Sequence, residues 1–111
     1  MSGLGEIQEQ TITIPSGDTD SGTLLMGQYD RGSFQCPAAL TGTTIAVQIS
    51  NDGTTFTQVT EVASVDEANP YTFAANKTFS LPIRASWCKY VKFVSNGTEA
   101  AARDFKVFLR S

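Results

Sequence analysis

Residues 43–59 read TTIAVQISNDGTTFTQV, and the alternation in this stretch decides the fold class. Ile45, Val47 and Ile49 fall on one side of an extended chain, with Ala46, Gln48 and Ser50 on the other. A period of two over this length describes a strand with one face toward a core and one toward solvent. Asn51-Asp52-Gly53 interrupts it, and a second alternating run, Thr55 to Val59, follows. Asp-Gly between two such runs predicts a β-hairpin, because both residues tolerate a positive φ.

The same pattern continues on either side. Upstream, Thr11 to Ile14 alternates and stops at Pro15-Ser16-Gly17; Thr23 to Met26 is a short run; Arg31 to Cys36 puts Phe34 and Cys36 on one face. Downstream come Tyr71 to Phe73, then Lys77 to Ile83, whose Pro82 marks an edge or a strand end. Lys89 to Ser95 turns Val91 and Phe93 inward and Tyr90, Lys92 and Val94 outward. The last run, Arg103 to Arg110, turns Phe105, Val107 and Leu109 inward and Lys106, Phe108 and Arg110 outward. Burying that trio stabilises by roughly 5–9 kcal/mol before chain entropy is subtracted. Thr98 to Ala102 reads as a helical turn too short to stand alone, and no segment carries an apolar stripe at helical spacing. The expectation is an all-β protein: a single antiparallel β-sandwich of about eight short strands over residues 11–111, preceded by a polar N-terminal arm, residues 1–10. Jelly-roll, immunoglobulin-like and other strand orders remain open at this point.

With 111 residues the chain fits one domain. It has no histidine, which removes Ser-His-Asp and Cys-His nucleophilic sites, His-ligated zinc and a histidine pH switch. Phosphate-cradling glycine motifs are absent, and the adjacent Asp66 and Glu67 suggest no cleft of the kind glycoside hydrolysis needs. The protein is therefore expected to be no enzyme and to need no cofactor or metal. Cys36 and Cys88 match no zinc or CxxC spacing and read as reduced, small apolar residues. The first residues lack a basic, then apolar, leader and no apolar run spans a bilayer, so folding in a cytosol and no membrane partner are expected. The sequons at Asn76 and Asn96 then read as turns.

Net charge is −3 but unevenly placed. Met1 to Pro70 holds nine acidic residues and one basic residue, whereas Tyr71 to Ser111 holds seven basic and two acidic ones. Copies can attract head to tail if the two halves form separate surfaces; if their strands interleave, the charges neutralise across the sheets. Asp18-Thr19-Asp20-Ser21-Gly22 resembles the start of a calcium loop without a closing glutamate, and reads more simply as a solvated turn. Lys92, Lys106 and Arg110 are read as sharing an outward face with Tyr90 and Phe108. Basic-aromatic interleaving of that kind can grip nucleic acid, but a pI near 4.7 opposes it, and no nucleic-acid partner is expected. Trp87 either caps the core or stacks on a sugar ring. Phe108, bracketed by Lys106 and Arg110, suggests a protein contact with an apolar centre and a charged rim, unless a bulge buries it.

Phe34-Gln35-Cys36-Pro37-Ala38-Ala39-Leu40-Thr41-Gly42, the strand that leads into Ser50-Asn51-Asp52-Gly53-Thr54-Thr55-Phe56, and Lys89-Tyr90-Val91-Lys92-Phe93-Val94-Ser95-Asn96-Gly97-Thr98 follow in order. From about Thr23 onward this arrangement resembles the small β-sandwich virion proteins of tailed bacteriophages. The resemblance implies a capsid decoration or cement protein, or a head–tail accessory, made in the bacterial cytoplasm and found in the virion. Its partners would be the major capsid protein or another virion protein, with a homo-oligomer expected and no catalytic residues to carry over. The contacts expected are Tyr90, Lys92, Lys106, Phe108 and Arg110, together with Glu6 and Ile7 of an arm, Gly3 to Gln10, laid across a neighbouring subunit. The alternatives are a carbohydrate-binding module using Trp87 and a tail or neck accessory protein.

Overall fold

Of the three inward residues of the deciding stretch, Ile45 and Val47 are fully buried and Ile49 is half-buried, while Ser50, read as outward, is buried where its hydroxyl joins the Asp52 turn. The computed structural model describes residues 7–26, 29, 31–58, 70–81 and 88–110. Nine strands run through them: β1 (Ile7–Ile14), β2 (Leu24–Leu25), β3 (Arg31–Gln35), β4 (Thr44–Ser50), β5 (Thr57–Gln58), β6 (Tyr71–Thr72), β7 (Thr78–Ser80), β8 (Tyr90–Ser95) and β9 (Arg103–Arg110). One antiparallel sheet has the order β1-β9-β3-β7 and the other β2-β8-β4-β5, with β6 also pairing with β4. The described residues contain no helix, and the expected helical turn at Thr98 to Ala102 is an irregular loop.

The pairs are nested. β1 pairs with β9, β2 with β8, β3 with β7 and β4 with β5. The chain therefore doubles back on itself as one long two-stranded ribbon whose bend is the Asp52-Gly53 loop. Rolling that ribbon sends successive pairs to alternate sheets, which is the connectivity of a jelly roll rather than an immunoglobulin-like order. It also interleaves the two halves of the sequence: in β1-β9-β3-β7 acidic-half and basic-half strands alternate, so among the described strands of that sheet the two halves share one surface.

Two boundaries differ from the sequence reading. Residues 7–10, read as part of a free arm, form the first half of β1 and pair with Val107 to Arg110. Gln8, Glu9 and Gln10 hide the period, but the ladder to β9 is made by backbone groups and needs no apolar side chain. The hairpin at Asp52-Gly53 exists, since Ile49 faces Thr57 and Gln48 faces Gln58, yet its loop runs on to Phe56, past Thr55, where the second run is expected to begin. Only Gly53 has a positive φ there, 79°. Asp52 turns the chain with its side chain: Oδ1 accepts from the amides of Thr54 and Thr55 at 2.9 Å and from the Ser50 hydroxyl at 2.8 Å. Those two amides, then Ser50, hold its carboxyl at about 2. The Pro15 turn closes as expected, with Asp18 N donating to Pro15 O at 3.1 Å and Gly17 at φ 88°.

The inward faces meet in one core that includes Ile12, Ile14, Phe34, Val47, Val91, Phe93, Phe105, Val107 and Leu109. Phe34, from the first sheet, lies 5.0 Å from Phe93 of the second, ring centre to ring centre, and 5.2 Å edge-on from Tyr71. Phe105 completes the stack at 5.2 Å from Phe93. Cys36 is buried and Cys88 half-buried, both free thiols, and burial pushes the Cys36 thiol up. Phe34→Ala should lower stability by about 3–5 kcal/mol, read as a lower midpoint in urea with an unchanged slope. A loss under about 1 kcal/mol would mean that the layers are not joined through this ring.

Candidate functional site

Alternation along β9 buries Phe105, Val107 and Leu109 fully, so Asp104, Lys106, Phe108 and Arg110 lie on the outer face of the first sheet. Register supplies their neighbours. Phe108 sits between Glu9 on β1 and Ser33 on β3, Lys106 between Thr11 and Gln35, and Asp104 beside Thr13. The Thr13 hydroxyl donates to Asp104 Oδ1 at 2.7 Å. Arg110 is the Cα partner of Arg31. Phe108 is half-buried and Lys106, Arg110, Asp104 and Glu9 are exposed. The result is an aromatic ring in the middle of a polar face, with cations on either side along its strand.

Tyr90 and Lys92 are not on that face, which corrects the expectation of a single basic-aromatic surface. The connection from β8 to β9 crosses from one sheet to the other, so the outward sides of the two strands point to opposite exteriors of the sandwich. Lys92 is engaged within the chain: Nζ donates to Asp20 Oδ2 at 2.7 Å and lies 4.6 Å from the centre of the Phe56 ring. Tyr90 packs beside Gly53, where a Cβ would stand 3.3 Å from its ring. Asp20 is drawn below its usual carboxyl value, first by Lys92 and then by the Thr19 hydroxyl. That pairing, with Asp18 exposed, makes the 18–22 segment a turn stitched to β8 rather than a cation loop. Among the described residues no group of three or more Cys, Asp or Glu side chains converges as a metal site would require.

The residue that the sequence gives no sign of is Glu99. It is 1% exposed in the loop between β8 and β9. Oε1 accepts from Thr41 N and Arg103 Nε, both at 2.8 Å; Oε2 accepts from Gly42 N at 3.0 Å and the Ser95 hydroxyl at 2.7 Å. Arg103 also reaches Thr41 Oγ1. Burial opposes the charge, but the Thr41 amide, Arg103, Ser95 and the Gly42 amide together outweigh it and hold the carboxyl at about 2. Beside it, Asn96 Oδ1 accepts from the amides of Thr43 and Thr44 at 2.7 and 3.1 Å. Gly42 must be glycine, since a Cβ would run into Ser95 Oγ and Asn96 Oδ1. A carboxylate with four donors has its acceptor sites filled, so Glu99 serves as a clasp between two loops and β9, with no vacancy for acid–base work. From the sequence alone Glu99 and Arg103 look like an ordinary surface pair four residues apart.

Glu6, Asp66, Glu67, Pro82, Ile83 and Trp87 lie outside the described residues, as do the roles expected of them, and Ile7 is placed by its β1 backbone alone.

Glu99→Gln should destabilise by about 3–5 kcal/mol, because a donor replaces an acceptor and Arg103 loses its counter-charge. The wild-type pKa is lower folded than unfolded, so this stabilisation is complete above about pH 5. It fades as pH falls from 4.5 toward 2, removing roughly 3 kcal/mol. Urea melts at about pH 7 and about pH 2.5 should show the variant's deficit shrinking on acidification; a deficit equal at both pH values would contradict the clasp.

Comparison of the chain with protein-family models, with curated proteins and with solved structures found no match.

Proposed function

We propose that this protein is a non-enzymatic structural component of a bacteriophage particle, a decoration or cement protein that binds assembled shell subunits through protein–protein contacts. The observation that carries the reading is Phe108, held half-open at the centre of the outer face of β1-β9-β3-β7, with Lys106 and Arg110 two residues to either side. An aromatic ring within a polar, charged rim is the usual make-up of an interface centre. Two further points support it. The segments around Phe34 to Phe56 and Lys89 to Thr98 resemble small virion sandwiches, and the rolled ribbon is an architecture that capsid and lectin domains share, an analogy of fold alone. Contacts made only with the assembled shell would stabilise that shell by mass action.

Purified protein added to shells that lack it should co-sediment with them and raise their disruption temperature. Phe108→Asp should weaken that binding at least tenfold while the isolated domain keeps its melting temperature within a few degrees, since Phe108 is outside the core. Retained binding by the variant, or no binding by the wild type, would count against the reading; a variant that unfolds would put Phe108 in the core instead.

A further inference from the structure

The outer face around Phe108 is self-complementary, and we infer that its partner is the same face of a second copy of this chain. The inference rests on the reading of that face as a protein contact, but fills it with a second copy in place of a shell subunit, so that Phe108→Asp would loosen shell binding through lost bivalency.

Along β9 the outward residues run Asp104, Lys106, Phe108, Arg110: anion, cation, ring, cation. Two copies of the sheet can be laid face to face about a two-fold axis that lies between them, perpendicular to the strands. The two β9 strands then run antiparallel, and an axis level with Val107 sets Asp104 against Arg110 of the other copy and Lys106 against Phe108 of the other copy. The β9 contacts in this arrangement are favourable: an ion pair at each end and a cation over an aromatic face on each side of the centre. The flanking strand agrees. Glu9 shares a row with Phe108 and Thr11 shares one with Lys106, so each Glu9 meets Thr11 of the other copy with Lys106 of that copy beside it.

The alternatives are worse. Moving the axis to the level of Lys106 sets Lys106 on Lys106, and moving it to Phe108 sets Lys106 on Arg110. An axis along the strands sets Asp104 on Asp104. An axis level with Phe105 would pair Asp104 with Lys106 but leave Phe108 and Arg110 unmatched, so the register level with Val107 is the one that engages all four outward residues of β9. The face also has the means to hold it: Asp104 is fixed by the Thr13 hydroxyl at 2.7 Å, and, among the described residues, Phe108 keeps part of its ring uncovered. Four strands about 4.8 Å apart make a face of about 400 Å² per copy. The total of about 800 Å² is below the range of stable specific interfaces, so the dimer is a weak, concentration-dependent one that a crowded surface would favour, and two linked copies would grip a shell by avidity.

Sedimentation velocity on the isolated protein tests this directly. A dimer should form with rising concentration and weaken as salt is raised, its charges being at the rim. Asp104→Arg and Arg110→Asp should each weaken dimerisation at least tenfold with the melting temperature little changed. The double variant, which recreates every Asp–Arg pair across the axis, should restore it to within about threefold of wild type. A wild type that stays monomeric at all concentrations, a dimer indifferent to the single reversals, or a double variant no better than the singles would each overturn the inference. Should the wild type be monomeric while Phe108→Asp still loses shell binding, the face meets a shell subunit, and only the self-pairing fails. Should the swap restore the dimer while no shell is bound, the self-pairing stands and the decoration role fails. If both reversals prove too unstable to study, Lys106→Glu, which sets a second carboxylate beside Glu9 of the other copy, should weaken the dimer at least fivefold, and no change would again overturn it.

Discussion

The two layers of this molecule are joined where the ring of Phe34 meets Phe93, 5.0 Å away across the gap between the sheets. Tyr71 packs edge-on against Phe34, and Phe105 leans on Phe93. Once these rings face inward, strand alternation leaves no choice about what faces outward. Phe108 has an inward-facing Val or Leu next to it on either side along β9, and its half-open position is a by-product of how Phe105, Val107 and Leu109 are held. The surface available for contact is therefore defined by the core.

What the rings do for the middle of the sandwich, a carboxylate does for one end. The loops that carry Thr41, Gly42 and Asn96 bury Cys36 and part of Leu40, but their tips are small polar residues. They are ordered by backbone amides converging on Glu99 and Asn96. A buried charge earns its place only if its hydrogen bonds are complete, and here they are. The same logic recurs on a smaller scale at the opposite end, where Asp52 collects two amides and a hydroxyl. Asp52 and Glu99 are thus employed in ordering loops.

Much of the architecture is legible in the sequence because period-two burial needs only local information. Ile45 and Val47, Val91 and Phe93, and Phe105, Val107 and Leu109 can be assigned inward from spacing alone, and the structure buries them. Which sheet a strand joins is not local. Tyr90 and Lys92 look equivalent to Lys106 and Phe108 until the loop between β8 and β9 is seen to cross between layers; an alternating pattern says "out" without saying out of which side. Ile7 to Gln10 are hard to recognise as strand because their pairing to β9 is carried by backbone groups that every residue possesses. Glu99 is invisible for the opposite reason: its importance lies in donors from residues 41 and 42, more than fifty positions away. The candidate face around Phe108 is partly readable, since Lys106, Phe108 and Arg110 are spaced along one strand, but Glu9, Thr13 and Arg31 join it only through register.

The nested pairing has a consequence for how the chain is made. Ile7 lies opposite Arg110, so the first strand to leave the ribosome must wait for the last one before its ladder can form. Until then the segment IQEQTITI has strong sheet-forming character, a single charge and no proline, features of a segment prone to unwanted association. The bend at Asp52-Gly53 emerges midway through synthesis and can close early, but zipping has to travel outward from it in both directions. Expression of this protein should therefore be limited by how long that leading strand stays single, and fast translation or a chaperone that shields it would raise the soluble yield.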